Sequence, residues 1–185
     1  FFSSCGEDRV GSLLKKFADD PMGFDDYMIN RKENEKPSDP LVFGQAAHTL
    51  ILEGQDQLEK GYTILPPETN NPKTGRPYGR NTQKFAELCK EHDVNAWRAL
   101  SVDEVKMIFA MQDAINHHSK AKAAIGACDH VEWALRGSMA NVKFQGKLDA
   151  CNKVGRIVDL KTMRADSSGR EQIERFNYLW QAYCY

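Results

Sequence analysis

Along most of the chain before residue 129, apolar positions recur three or four residues apart, the period of a helix with one buried face. In 11–24, Ser12 is placed to cap a helix carrying Leu13, Leu14 and Phe17; Asp20-Pro21 ends it, and Phe24 and Tyr27 begin another. Residues 30–40 are polar, charged and proline-bearing, a surface connection. Residues 41–52 read as an apolar helix with small residues on part of its surface, closed by Gly54. A short helix and a strand at Tyr62-Thr63-Ile64-Leu65 follow, then a long loop over 66–82 and helices over 83–92 and 102–119. Ser101 and Glu104 fit a capping box. Val105, Ile108, Phe109, Met111 and Ile115 behind them form a buried stripe.

From residue 129 the period drops to two. Residues 129–135 predict a strand turning at Arg136-Gly137-Ser138 and pairing with a second strand over 140–149. In that second strand Val142, Phe144 and Leu148 alternate with Lys143, Gln145 and Lys147, as on a half-buried strand. Residues 150–155, with Asn152 and Gly155, make a turn, and 156–162 a third β-rich run. The hairpin brings Asp149 level with Asp159, and Lys161 shares a face with Asp159 because side chains two apart on a strand point the same way. The final segment, 168–185, is helical, with Ile173, Phe176, Trp180 and Tyr183 on one stripe and Gln181 and Tyr185 on another. That second stripe either lies over a site or only caps the sheet.

Composition changes this picture little. A chain of 185 residues, 41% hydrophobic and 28% charged, has one domain's length and an ordinary globular make-up. No stretch approaches the length of a membrane helix, and no export leader is present, which predicts a cytoplasmic protein. Five cysteines without a C-x-x-C pair predict reduced thiols, with no zinc or iron–sulfur site. A net charge of −1 is not that of a protein that coats nucleic acid, although it is compatible with a local basic groove.

The candidate chemistry lies in the hairpin. Two close carboxylates repel unless a cation or proton sits between them, and oxygen ligands favour Mg²⁺ or Mn²⁺. A lysine beside such an ion is equipment for metal-assisted phosphodiester hydrolysis. The same residues also describe a solvated strand face with a weak ion pair. Glu132, in the same sheet, is either a third carboxylate or an exposed strand residue. His48, one turn after Gly44 on the apolar helix, reads by itself as a hydrogen-bonded core histidine. In the loop, Lys73, Arg76 and Arg80 with Tyr78 could grip a phosphate backbone or stack on a base, or else form a flexible solvated segment.

Taken together, the series Gly44-x-x-x-His48-x-x-x-Leu52-Glu53, Glu132, Gly146-x-x-Asp149, Asp159-x-Lys161-Thr162 and Gln181-x-x-x-Tyr185 resembles the RecB-like branch of the PD-(D/E)XK nucleases. Within that branch it is most similar to the RecE-type exonucleases. The resemblance runs over almost the whole chain, from Ser12 onward. It implies an α/β fold, a mixed central β-sheet flanked by helices, as a single nuclease domain over 1–185 that relatives extend beyond Tyr185, so that the chain is expected to be truncated at its C-terminus. It implies that Asp149, Asp159, the Leu160 carbonyl and His48 bind metal, Mg²⁺ or Mn²⁺, with Glu132 as the upstream acid. Lys161 would position and activate the attacking water, and Gln181 and Tyr185 would orient the lysine and contact DNA.

The implied activity is exonucleolytic degradation of one strand of linear double-stranded DNA from an end, 5′ to 3′, in recombination. A ring-like homo-oligomer and a single-strand annealing protein are the implied partners, in a bacterial or phage-infected cell. A single-strand or endonucleolytic repair nuclease is the alternative within the superfamily; a non-catalytic DNA-binding module is the alternative from another class. The cysteines of the iron–sulfur relatives are absent, and Gly54 replaces the usual proline after Glu53.

Overall fold

The computed structural model describes residues 38–139, 142–163, 168–175 and 178. The helices expected before residue 30 lie outside that set, as do Phe176, Trp180, Gln181, Tyr183 and Tyr185 of the last segment.

Helix α1, Asp39–His48, starts with Pro40 in its first turn, where a missing N–H costs nothing, and with Asp39 at the positive end of its dipole. Val42, Ala46 and Leu50 follow one another at four-residue spacing and are wholly buried. The helix does not continue regularly to residue 52, because Thr49–Glu53 is a π-helical turn. The Thr49 hydroxyl donates to the Gln45 carbonyl at 3.1 Å, competing with the regular ladder. The Gly54 amide then reaches back five residues to the Thr49 carbonyl at 3.0 Å. Gly54 closes the turn at φ 96°, a conformation that strains any residue with a Cβ. Such wide turns inside helices cluster at functional sites, and this one begins directly after His48.

Helix α2, Gln55–Gly61, leads into strand β1, Thr63–Leu65. After the loop come α3, Gln83–Glu91, capped by the Thr82 side chain, then strand β2, Ala99–Ser101, and helix α4, Val102–His117. The Ser101–Glu104 capping box is present at the start of α4. β1 and β2 pair in parallel, with Ile64 opposite Leu100. At three residues, β2 is too short to show a period, and its pairing partner defines it. Ile108, Leu100, Val42 and Leu50 meet in the main core, with Leu58 and Tyr62 around them. Leu65, Phe85, Cys89 and Ala99 form a second cluster.

At His118 the backbone turns to φ −89°, ψ 97°, and its imidazole Nδ1 accepts from the Ala121 amide at 3.1 Å, capping helix α5, Ser119–Gly126. No helix was expected after the one over 102–119; a histidine acting as an N-cap is a rare signal. Strands β3, His130–Met139, β4, Val142–Cys151, and β5, Ile157–Val158, form a three-stranded sheet in that order. β3 runs straight through Arg136-Gly137-Ser138, where a turn was expected, because pairing along the sheet overrides turn composition. The third β-rich run is shorter than expected, with only Ile157–Val158 in the ladder. Helix α6 spans Gly169–Arg175; Ile173, expected to be buried, is 42% exposed.

The α/β character is as expected. Among the described residues the strands form small mixed sheets, one parallel pair and one three-stranded, accompanied by helices. The chain separates into two compact units. One holds Asn34–Val131 and Asp149–Leu160; the other takes in Glu132–Leu148 and the described residues from Lys161 onward. No helix among the described residues is long and apolar enough to cross a membrane.

Candidate metal centre

The turn between β4 and β5 is built by one side chain. Asn152 Oδ1 accepts from the amides of Val154, at 3.2 Å, and Arg156, at 2.9 Å, while its Nδ2 donates to the Ala127 carbonyl at 2.9 Å. Gly155 takes the left-handed position, φ 86°. This fixes an antiparallel register in which Ala150 faces Val158 and Cys151 faces Ile157. Asp149 and Asp159 adjoin this paired stretch, one on each side of the turn. The Leu160 amide donates to Asp149 Oδ2 at 2.6 Å, so the carboxylate is oriented by the segment that carries Asp159. Asp159 itself is exposed.

The last residue of α1 arrives at the same carboxylate. His48 Nδ1 lies 3.7 Å from Asp149 Oδ2. Their side chains are 23% and 16% exposed, recessed yet open to solvent. At 3.7 Å this is too long for a hydrogen bond. It is close to the separation of about 3 Å between neighbouring donors around one octahedral ion with bonds of about 2.1 Å. An imidazole nitrogen and a carboxylate oxygen, carried by a helix end and a strand end, make a donor pair suited to a divalent cation.

Within the other unit, Glu132 is half-buried and pairs with the Lys147 ammonium. Its backbone sits at φ 54° in mid-strand, a left-handed conformation unusual for a residue with a side chain. Outliers of this kind are held only where the surroundings over-determine them, and they concentrate at functional sites. Lys161 is half-buried, its Nζ 5.1 Å from the centre of the Tyr178 ring, a cation–π contact that limits where the ammonium can point. Sequence reasoning gave Lys147 no part and placed Tyr178 only near the Gln181 and Tyr185 stripe. Lys147 already stood in the Gly146-Lys147-Leu148-Asp149 run, and only strand pairing reveals that it meets Glu132. Gln181 and Tyr185, expected to orient the lysine, lie outside the described residues.

A family model described as "PDDEXK-like domain of unknown function (DUF3799)" matches residues 11–185. The chain belongs to this PDDEXK-like family. No curated protein and no solved structure matches it. For a PDDEXK-like domain, an acidic pair on neighbouring strands followed by a lysine is the part of the chain that gives the family its name. Asp149, Asp159 and Lys161 are the residues expected from the sequence to supply it. The donor set fits a divalent ion on chemical grounds, since His48 and Asp149 offer one nitrogen and one oxygen at metal-sharing distance. The membership does not identify which ion.

The loop residues expected to bind DNA separate into two kinds. Lys73 and Arg76 are exposed. Tyr78 is half-buried and packs against the cluster of Leu65 and Phe85. Arg80 is no DNA-facing cation of this PDDEXK-like domain: its side chain is 4% exposed. Its Nη1 donates to Asp39 Oδ1 at 2.9 Å and to Glu104 Oε1 at 2.8 Å, and its Nη2 to the Ala99 carbonyl at 2.6 Å. Burial works against the charge, but the hydrogen bond and charge of Glu104, then those of Asp39, outweigh it and hold the Arg80 pKa above its ordinary value. The guanidinium joins the start of α1, the end of β2 and the capping box of α4. Its partners stand 41 and 24 residues away in the chain, which is why a local reading took it for part of a basic loop.

Proposed function

We propose that this PDDEXK-like domain is a divalent-metal-dependent deoxyribonuclease that degrades one strand of linear duplex DNA from an end, 5′ to 3′, in recombination. The observation that carries the reading is the convergence of His48 and Asp149, 3.7 Å apart, on the hairpin that also supplies Asp159. A bound Mg²⁺ or Mn²⁺ would neutralise the phosphate and lower the pKa of a water. His48, Asp149, Asp159 and the Leu160 carbonyl are the proposed holders of the ion. Glu132, directly after Val131, is proposed to add a carboxylate, and Lys161, directly after Leu160, to hold the attacking water.

The protein's own contributions are orientation and charge. The Leu160 amide fixes the Asp149 carboxylate, so little reorganisation is left for the moment of reaction. The Tyr178 ring confines the Lys161 ammonium, whose proposed task is to hold a water in line with the scissile bond. DNA ends are the proposed substrate. A single-strand annealing protein and further copies of the chain in a homo-oligomer are the proposed partners, in the cytoplasm of a bacterial or phage-infected cell.

The test is a time course on linear and covalently closed duplex DNA with Mg²⁺ or Mn²⁺, run beside Asp159→Ala and Lys161→Ala. The reading expects the linear duplex to disappear while the circle survives, and both variants to be silent. Cutting of the circle would replace the exonuclease with an endonuclease of the same fold. Equal residual activity in the parent and both variants would reduce the chain to a DNA-binding module.

A further inference from the structure

The segment between β1 and α3 is more ordered than a solvated loop. Four of the chain's 7 prolines, Pro66, Pro67, Pro72 and Pro77, fall within it and restrict the backbone before any contact is made. Its tip is a closed turn. The Asn71 amide donates to the Arg76 carbonyl at 2.9 Å, and the Gly75 amide to the Asn71 carbonyl at 2.8 Å. Asn71 Oδ1 accepts from the Lys73 amide at 2.9 Å, Thr74 Oγ1 from the Arg76 amide at 3.3 Å, and Asn70 Nδ2 donates to the Gly75 carbonyl at 3.1 Å. Gly75 occupies the left-handed position, φ 67°. At its root the loop is held by Tyr78 and by the Arg80 network.

On this frame stand two exposed cations, Lys73 and Arg76, and neither has an ion-pair partner among the described residues. The amides of Lys73, Thr74, Gly75 and Arg76 are all spent inside the turn. What the tip offers a ligand is therefore side-chain charge rather than a cradle of backbone donors. Arg80 fastens the root to Asp39 at the first turn of α1, whereas His48 is that helix's last residue. Nine residues of helical rise separate them, about 13 Å along the axis. That equals about four base-pair steps of a duplex.

We infer that the 70–76 turn is a pre-ordered phosphate clamp that uses Lys73 and Arg76 to hold the backbone of duplex DNA several nucleotides from the bond being broken. This rests on the deoxyribonuclease reading for the identity of its ligand. Because the turn is already closed, gripping the backbone costs little ordering entropy. Because the contacts are to phosphates, they carry no sequence preference and are sensitive to salt. Remote from the reacting phosphate, they act on binding and leave the chemical step alone.

The test is binding of a fluorescein-labelled 20-base-pair duplex in EDTA, followed by anisotropy across a salt series, for the parent, Lys73→Gln/Arg76→Gln and the control Lys60→Gln/Lys106→Gln. Each lost phosphate contact removes about 0.9 from the slope of log K against log salt. The loop variant is expected to lose about 2 from that slope and to bind about tenfold or more weakly at low salt, with the control unchanged. In cleavage assays with metal, its KM rises while kcat is kept. A parent that binds DNA, with a loop variant of the same slope, overturns the clamp and leaves the metal centre standing. Equal losses in the loop and control variants overturn it too, since any two cations would then serve. A parent that neither binds DNA in EDTA nor cleaves it with Mg²⁺ or Mn²⁺ removes the nuclease reading and the clamp with it.

Discussion

Two polar clusters at opposite ends of α1 show how a structural ion network differs from a site. At the start of the helix, Arg80 is sealed in, and both its Nη nitrogens make short bonds to carboxylates or a carbonyl. At the end of the helix, His48 and Asp149 stand 3.7 Å apart, partly open to solvent, with no hydrogen bond joining them. In the first cluster the Arg80 cation stands between two carboxylates, Glu104 and Asp39. The second joins an imidazole to a carboxylate at a spacing that favours a shared ion over a direct bond. A sealed cluster whose charges meet one another holds the fold, whereas a recessed imidazole and carboxylate open to solvent can receive an ion from solution.

The contrast breaks most readily at Arg80. Arg80→Met leaves Glu104 recessed without its cation and is expected to lower the free energy of unfolding by about 3–5 kcal/mol. A urea titration reads this as a lower midpoint at unchanged slope. A loss below about 1 kcal/mol would make the network an ordinary surface ion pair. At the other end, Asp149→Asn retains an oxygen for the Leu160 amide and so keeps the hairpin. It removes the charge, and DNA cleavage is expected to fall at least about a hundredfold with the unfolding midpoint almost unmoved. A variant that cuts at the parental rate would take Asp149 out of the centre.

Metal addition sharpens the same comparison. With Mn²⁺ at a hundred times its dissociation constant, linkage predicts about 2.7 kcal/mol of added stability for the parent, reversed by EDTA. Asp149→Asn and His48→Ala should lose that increment while Arg80→Met keeps it, as thermal melts with and without Mn²⁺ would reveal. The smallest effect is expected at the edge of the Arg80 network. Ser101→Ala removes the hydroxyl that accepts from the Glu104 amide at 3.2 Å, and should cost about 1 kcal/mol with no change in cleavage or metal response.

Much of the fold was readable because its causes are local. The capping box at Ser101 and Glu104, the apolar spacing of α1 and α4, and the Asn152–Gly155 turn all act within a few residues. That turn also set the register of Ala150 against Val158 and Cys151 against Ile157. Other features escaped for equally physical reasons. β2 exists through its parallel partner β1, and β3 extends past glycine and serine through its place in the sheet. The π turn after His48 depends on a hydroxyl competing for one carbonyl.

The sequence by itself determined the α/β character, the order of the principal helices and the tight turn between β4 and β5, because short-range periodicity and turn chemistry suffice for these. Only the tertiary structure decided which cations are committed and which are free to bind. Lys73, Arg76 and Arg80 look alike along the chain. Carboxylates 41 and 24 residues from Arg80 neutralise it inside the protein, while the other two remain in solvent. It likewise decided that His48, about a hundred residues from Asp149, meets that carboxylate, since no local pattern encodes a contact made by the packing of a helix end against a strand end.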